Sequence, residues 1–347
     1  MGENQSRQIM NIFIIIVTVI VVLIGGVAVY GYTSLNRNIE REEIGDIGIS
    51  QDVLEYKQGH DVINIALFGV DSREGTYDYT RSDAMLVFSF NRKTNEAFIT
   101  SIVRDTYVFI DEAHGYEKIN HAYAYGGAKE AIETLNKNFD MDIDRYVTVN
   151  FDAVEHVIDE LDGVEIEVKD YELDELNRVI EEMNDEGIGT PSELVSTTGV
   201  QTLNGKQAVA YMRIRKIGNG DYERMERQRV VLSLTMQKLL SFNKMKLVSL
   251  VDDFLPYIKT NLSTSEIIGI GTQFLFANIT DLQQLQLPSN EYSVGKILYD
   301  DLYYLIPNTL EDNVMEWHES VYGIEDYEVT ETAKEISYEI SKFSNLD

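Results

Sequence analysis

The chain has 347 residues, a formal net charge of −30 and no cysteine. The missing thiols exclude disulfide scaffolds, thiolate metal sites and cysteine nucleophiles, and the acidic balance excludes nucleic acid as a partner, because affinity for a phosphate backbone rests on lysine and arginine. Hydrophobic residues at 44% and aromatics at 10% are enough to bury a core, so global disorder is excluded too.

The first predicted element is a membrane span. Residues 8–36 carry no charge, and 12–32 read IFIIIVTVIVVLIGGVAVYGY. About 20 apolar residues cross a bilayer as a helix, whereas the apolar region of a cleaved signal peptide has roughly 7–15. The run therefore predicts a retained anchor over 12–32 behind a short cytoplasmic tail, 1–11. Arg7 before the span is nearly balanced by Arg37 and Arg41, which are mixed with Glu40, Glu42 and Glu43, so flanking charge does not set the orientation. Residues 33–60 are polar and irregular and read as a linker with one short helix.

A folded domain follows over 61–310. VINIALFGV (62–70) is an apolar run suited to a buried strand. AMLVFSF (84–90) and AFITSIV (97–103) are further strands, joined by a turn at NRKTNE. Helical spacing appears in 126–139 and 153–161, and strand character in YVTVNF (146–151), VEIEV (164–168) and AVAYMRIR (208–215). A long helix is predicted over 223–242. Strands alternating with helices predict an α/β domain with helices packed on a central sheet. Residues 311–347 are polar and acidic and read as a peripheral helix or tail.

Four stretches carry chemistry. In YMRIRKIGNGDYERMERQRVV (211–231) five arginines gather: Arg213, Arg215, Arg224, Arg227 and Arg229. On a strand, Arg213 and Arg215 share a face. On the helix that follows, capped by Asp221, Arg224, Arg227 and Gln228 share another, near its N-terminus. Guanidinium forks match phosphate oxygens in pairs; the alternative is a charge-balanced surface in which Asp221, Glu223 and Glu226 absorb the arginines. The second stretch, GVDSREGTYDYTRSDAMLVF (69–88), places Asp71 after one strand and Asp83 at the start of the next, beside Arg81. Two carboxylates there suit Mg²⁺ held jointly with a diphosphate, or else a capped turn and an ion pair with Arg81. The third, SIVRDTYV (101–108), sets Arg104 at a strand end, with Asp105 to orient an arginine or cap a turn. The fourth, EKINHAYAYGG (117–127), supplies Lys118, Asn120 and His121.

Taken in order, FGVDSR, TRSDAML, SIVRDTYV, KINHAYAYGG, LDGVEIEV, LNGKQAVAYMRIR and DYERMERQR resemble the LytR-CpsA-Psr family of bacterial cell-envelope proteins across roughly residues 60–310. The resemblance implies a three-layer α/β/α domain with a central mixed sheet, outside the cell membrane behind a single span. It also implies a hydrophobic pocket for a polyprenyl lipid. The implied activity is a phosphotransferase that attaches a glycopolymer, of teichoic acid or capsule type, from a polyprenyl-pyrophosphate carrier to peptidoglycan. Its metal-binding aspartates fall on Asp71 and Asp83, with Mg²⁺ as the cofactor. Its pyrophosphate-binding residues fall on Arg81, Arg104, Arg213, Arg215 and Arg224, with Gln228 beside them and Lys118 matching the lysine of the KIN block. Asp83 and Asp221 are the candidates for taking the acceptor's proton, and Arg104 for stabilising the reacting phosphate. Val103 stands where the family often has proline, and KIGNG after Arg215 lacks the acidic residues often found there. The competing readings are a polyprenyl-pyrophosphate hydrolase and a non-catalytic lipid-phosphate-binding regulator of the envelope.

Overall fold

Strand β2 (Val62–Val70) is buried along nearly its whole length, as its apolar sequence, interrupted only by a hydrogen-bonded Asn64, requires, and the sheet grows outward from it. The computed structural model of the chain describes residues 40–41, 45–57, 60–70, 82–218, 257–263, 282–298 and 301–344, with helical residues 223, 224, 227, 228, 230, 231, 234, 235, 238, 266, 267, 269, 270 and 273. The expected span 12–32, the Asp71–Arg81 segment and Asp221 lie outside the described residues. Among the described residues no helix is long and apolar enough to cross a membrane.

Seven strands form the central sheet in the order β1-β10-β7-β2-β3-β4-β11. They are β1 (Glu40–Arg41), β2, β3 (Ser82–Asn91), β4 (Glu96–Ile102), β7 (Arg145–Asn150), β10 (Ile258–Thr260) and β11 (Leu282–Leu287). Strand β2 runs parallel to β7 and antiparallel to β3, and β4 runs parallel to β11, so the sheet is mixed and the fold is α/β. Among the described residues three antiparallel strand pairs stand outside it: β5 (Tyr107–Asp111) with β6 (Gly115–Lys118), β8 (Val164–Val168) with β9 (Gly199–Leu203), and β12 (Ser293–Ile297) with β13 (Tyr303–Pro307).

One sheet face, carrying Ala66, Phe68, Val87 and Phe98, packs on helix α2 (Asn120–Phe139) and on two C-terminal helices, α6 (Leu310–Tyr322) and α7 (Glu331–Ser344). Short helix α1 (Gln51–Lys57) precedes β2. Helix α2 breaks at Gly126 and Gly127, the latter at φ 66°, a left-handed conformation that glycine adopts without Cβ strain. Residues 311–344, expected as an acidic extension, contribute Val314, Trp317, Ala333, Ile336 and Ile340 to this core. Their charges lie on the outer helix faces, which is why their average composition read as a tail. Trp317 donates its indole N–H to Thr100 Oγ1 at 2.9 Å, so the largest buried ring also has its polar atom satisfied.

A second core joins α3 (Phe151–Glu160), α4 (Leu173–Asp185), α5 (Gly205–Arg213) and the strand pair β8–β9. Here one expectation is corrected: residues 208–213 are helix, not strand. Asn204 accepts from the Gln207 N–H at 2.9 Å while Gln207 Oε1 accepts from the Asn204 N–H at 3.0 Å, a capping box that starts α5. Because α5 is buried on most sides, its apolar positions show no helical period, and the run resembled a strand. The residues described between 223 and 238 are helical, and Val231 packs in this core with Leu234 against it.

Candidate anion-binding site

Registers Val70↔Asn150, Val70↔Ser82, Met85↔Ile102 and Ile102↔Leu287 bring the ends of β2, β7, β4 and β11 and the start of β3 to one edge of the sheet. Ligand sites of open α/β sheets lie at such carboxyl edges. Asp83 is the second residue of β3 at this edge, although its side chain lies outside the described residues. Arg104 follows β4 there, and α3 begins there directly after β7.

Helix α3 carries the edge toward the arginines. Its N-cap Asn150 accepts from the Ala153 N–H at 3.0 Å. Helix α5 then approaches α3 so closely that a Cβ on Gly205 would lie 2.1 Å from the Glu155 carbonyl oxygen, so only glycine fits. The Gly205 N–H donates to Asp159 Oδ1 at 2.6 Å. This contact fixes α5, whose last residue is Arg213, and an extended Ile214 leads to Arg215.

Arg213, Arg215, Arg224 and Gln228 line one cavity of about 230 Å³, with Lys216 beside them. The convergence expected from sequence is therefore present, but a helix end and the residues after it deliver Arg213 and Arg215, not a strand face. Arg227 behaves differently. It is 3% exposed and donates to Glu172 Oε1 at 2.9 Å, Glu223 Oε2 at 2.8 Å and the Ile214 carbonyl at 3.2 Å. Tyr211 donates to the other oxygen of Glu172 at 3.0 Å. This buried knot pins the helical residues around Arg227 to the segment bearing Arg215, so the absorbed-charge alternative holds for Arg227 with Glu223.

A second cationic group lies at the sheet edge. Asp105 receives Lys118 Nζ at 3.0 Å and Arg104 Nε at 3.5 Å, so it orients both cations. Lys118 also sits 4.9 Å from the ring centre of Tyr304, and the Leu305 N–H bonds the Asp105 carbonyl at 2.9 Å, which braces the group with β13. His121 lies 3.5 Å from Glu117, a local ion-pair geometry.

Sequence reasoning missed two members of the site. Arg178, on α4, lines the cavity with Glu182. Asp152 lies at the start of α3; burial pushes its carboxyl up, opposed by a hydrogen bond from Asn150 and by the charge of Arg213. Nothing in the FDAVEHV sequence marked that environment. A larger cavity, about 620 Å³, lies at the opposite sheet edge. Its arginines are taken up by carboxylates, Arg92 by Asp61 and Arg145 by Asp144 and Glu266, whereas Arg213 of the smaller cavity makes no salt bridge among the described residues. Among the described residues no group of three or more His, Asp or Glu side chains could hold a metal ion. The two expected ligands, Asp71 and the Asp83 side chain, are not among those residues.

The sequence model of the LytR_cpsA_psr family matches residues 29–318. The chain belongs to this family. It is 34% identical over 291 residues to the polyisoprenyl-teichoic acid–peptidoglycan teichoic acid transferase TagT of Bacillus subtilis, covering 81% of this chain and 85% of that one. A similarly named TagU of Bacillus licheniformis is 27% identical over 92% of this chain and 98% of its own length. Among solved structures, TagT bound to LI-WTA superposes with a TM-score of 0.51 at 31% identity, over 77% of this chain and 92% of that one. The LytR-CpsA-Psr match spans every cationic residue of both groups described above.

Proposed function

We propose that this chain is a membrane-anchored phosphotransferase that attaches a glycopolymer, of teichoic acid or capsule type, from a polyprenyl-pyrophosphate carrier to peptidoglycan. The observation that carries the reading is the convergence of Arg213, Arg215, Arg224 and Gln228 on one cavity. The names of TagT and TagU support the same chemistry. An acceptor of this kind lies outside the cell membrane, so residues 12–32 serve as a single span with the α/β/α domain on the outer side.

The acceptor hydroxyl oxygen attacks the phosphorus bonded to the glycopolymer. The bond from that phosphorus to the bridging oxygen breaks, and the lipid monophosphate leaves with the electron pair. The guanidinium groups bind non-bridging oxygens and meet the charge that gathers on the leaving phosphate. Arg104 and Lys118, held in place by Asp105, add to that field. A carboxylate takes the hydroxyl proton, with Asp83 and Asp221 as the sequence candidates and Asp152, tuned upward by burial, as a third. Asp71 and Asp83 are the residues to hold Mg²⁺, which when bound neutralises pyrophosphate charge.

The test uses the full chain in detergent with a lipid-linked glycopolymer, Mg²⁺ and peptidoglycan oligomers. Wild type attaches polymer only when acceptor is present, and Arg104→Ala and Arg213→Ala each lower the rate by about 10²–10³-fold. Release of lipid phosphate without attachment would make the protein a hydrolase instead.

A further inference from the structure

The cavity has two chemically different walls. On one, Arg213 makes no salt bridge with a described residue, and Arg215, Lys216 and Arg224 add like charge. On the other, helix α4 presents a cation that is already neutralised. Arg178 donates to both oxygens of Glu175, at 2.8 Å each, and to Glu182 Oε2 at 2.9 Å. Glu175 is the inner anchor, its side chain 10% exposed, while Glu182 is 50% exposed and lines the cavity with Glu186.

We propose that this α4 wall, Arg178 with Glu182, is a subsite for the first sugar of the lipid-linked donor, held next to its pyrophosphate; the inference rests on the transferase reading above. A phosphate brought to Arg178 would meet two carboxylates already bound there. A sugar hydroxyl has no such conflict. It donates to Glu182 and accepts one of the two guanidinium N–H groups that the clamp leaves over, since arginine has five and three are used. The clamp also fixes the guanidinium plane in advance, so little side-chain freedom is lost when a ligand arrives. Phe151, Val179, Met183 and Met212 supply apolar lining for the C–H face of a ring. The volume, about 230 Å³, falls below the roughly 300–1,000 Å³ of pockets that enclose drug-sized ligands. Shared with the pyrophosphate, it leaves no room to enclose an oligosaccharide. The clamp follows from α4 spacing: Glu175, Arg178 and Glu182 stand three and four residues apart on one helical face.

The test measures binding, not transfer, on the full chain in detergent. The probes are a short-chain polyprenyl pyrophosphate, bare or carrying glucose, galactose, N-acetylglucosamine or N-acetylgalactosamine. At least one sugar-bearing probe binds wild type about tenfold tighter than the bare lipid, the value of one charged hydrogen bond. Glu182→Gln and Arg178→Ala remove that advantage, so that in each variant the sugar-bearing and the bare lipid bind alike. Glu182→Gln keeps the Arg178–Glu175 clamp, so it stands as a test even if Arg178→Ala folds poorly. Equal affinity of wild type for all five probes overturns the subsite, as does an equal loss of bare and sugar-bearing lipid in Glu182→Gln. Failure of wild type to bind any probe overturns the pyrophosphate reading itself, and the subsite with it. Probe discrimination without polymer transfer keeps the subsite and sinks the transferase.

Discussion

The wall of the cavity and the layer directly behind it use arginine for opposite purposes. Arg213, on the wall, makes no salt bridge among the described residues, and its charge favours the ionised Asp152. Arg227, behind it, is buried and satisfied by Glu172, Glu223 and a main-chain carbonyl. Both belong to one arginine-rich stretch, so clustering alone does not separate a ligand-reading residue from a fold-holding one. Burial and partners do. A guanidinium neutralised from within costs its desolvation and returns geometry, whereas one left against a cavity keeps its charge for something that arrives.

The sharpest way to break this comparison is to remove the buried member. Arg227→Ala leaves Glu172, 1% exposed, without its cation, and should cost about 3–5 kcal/mol in urea unfolding. A loss under about 1 kcal/mol, the range of exposed pairs, would mean the knot does not hold the helical residues around Arg227 in place.

A smaller effect comes from the main core, where charge is suppressed instead of used. Burial holds the His318 imidazole down at about 3, against an ordinary 6.5, while its Nε2 bonds the Asp140 carbonyl at 3.0 Å and its ring stacks on Tyr327. Between those values the unfolded chain takes up a proton that the folded chain refuses. The stabilising share of His318 is therefore present above pH 6.5 and is lost as pH falls toward 3. The buried Asp140 carboxyl, pushed up by desolvation, runs the other way: its share is lost as pH rises. Comparing wild type with His318→Gln isolates the histidine. Wild type should lose about 2 kcal/mol more than the variant between roughly pH 6.5 and pH 5. Parallel stability curves would show that His318 accepts its proton inside the fold.

Much of this architecture was legible in the sequence, and the failures have physical causes. β2 was readable because a strand buried on both faces must be apolar along most of its length. The cations of the cavity were readable by residue type and spacing, even though α5 was mistaken for a strand. Arg178 was not readable. It stands among Glu175, Glu181 and Glu182 in a charge-balanced stretch, and only the fold turns that face toward Arg213. Asp152 escaped for a related reason, since its tuning comes from burial at a sheet edge. The C-terminal segment misled because its composition averages two opposite helix faces.

The most direct test of the central claim is calorimetric titration of the full chain in detergent with a short-chain polyprenyl pyrophosphate, comparing wild type with Arg213→Gln. Arg213→Gln should weaken binding at least about tenfold while leaving the thermal midpoint where it was, because Arg213 carries no ion pair among the described residues. Wild-type affinity in Arg213→Gln would contradict the assignment of this cavity to the pyrophosphate.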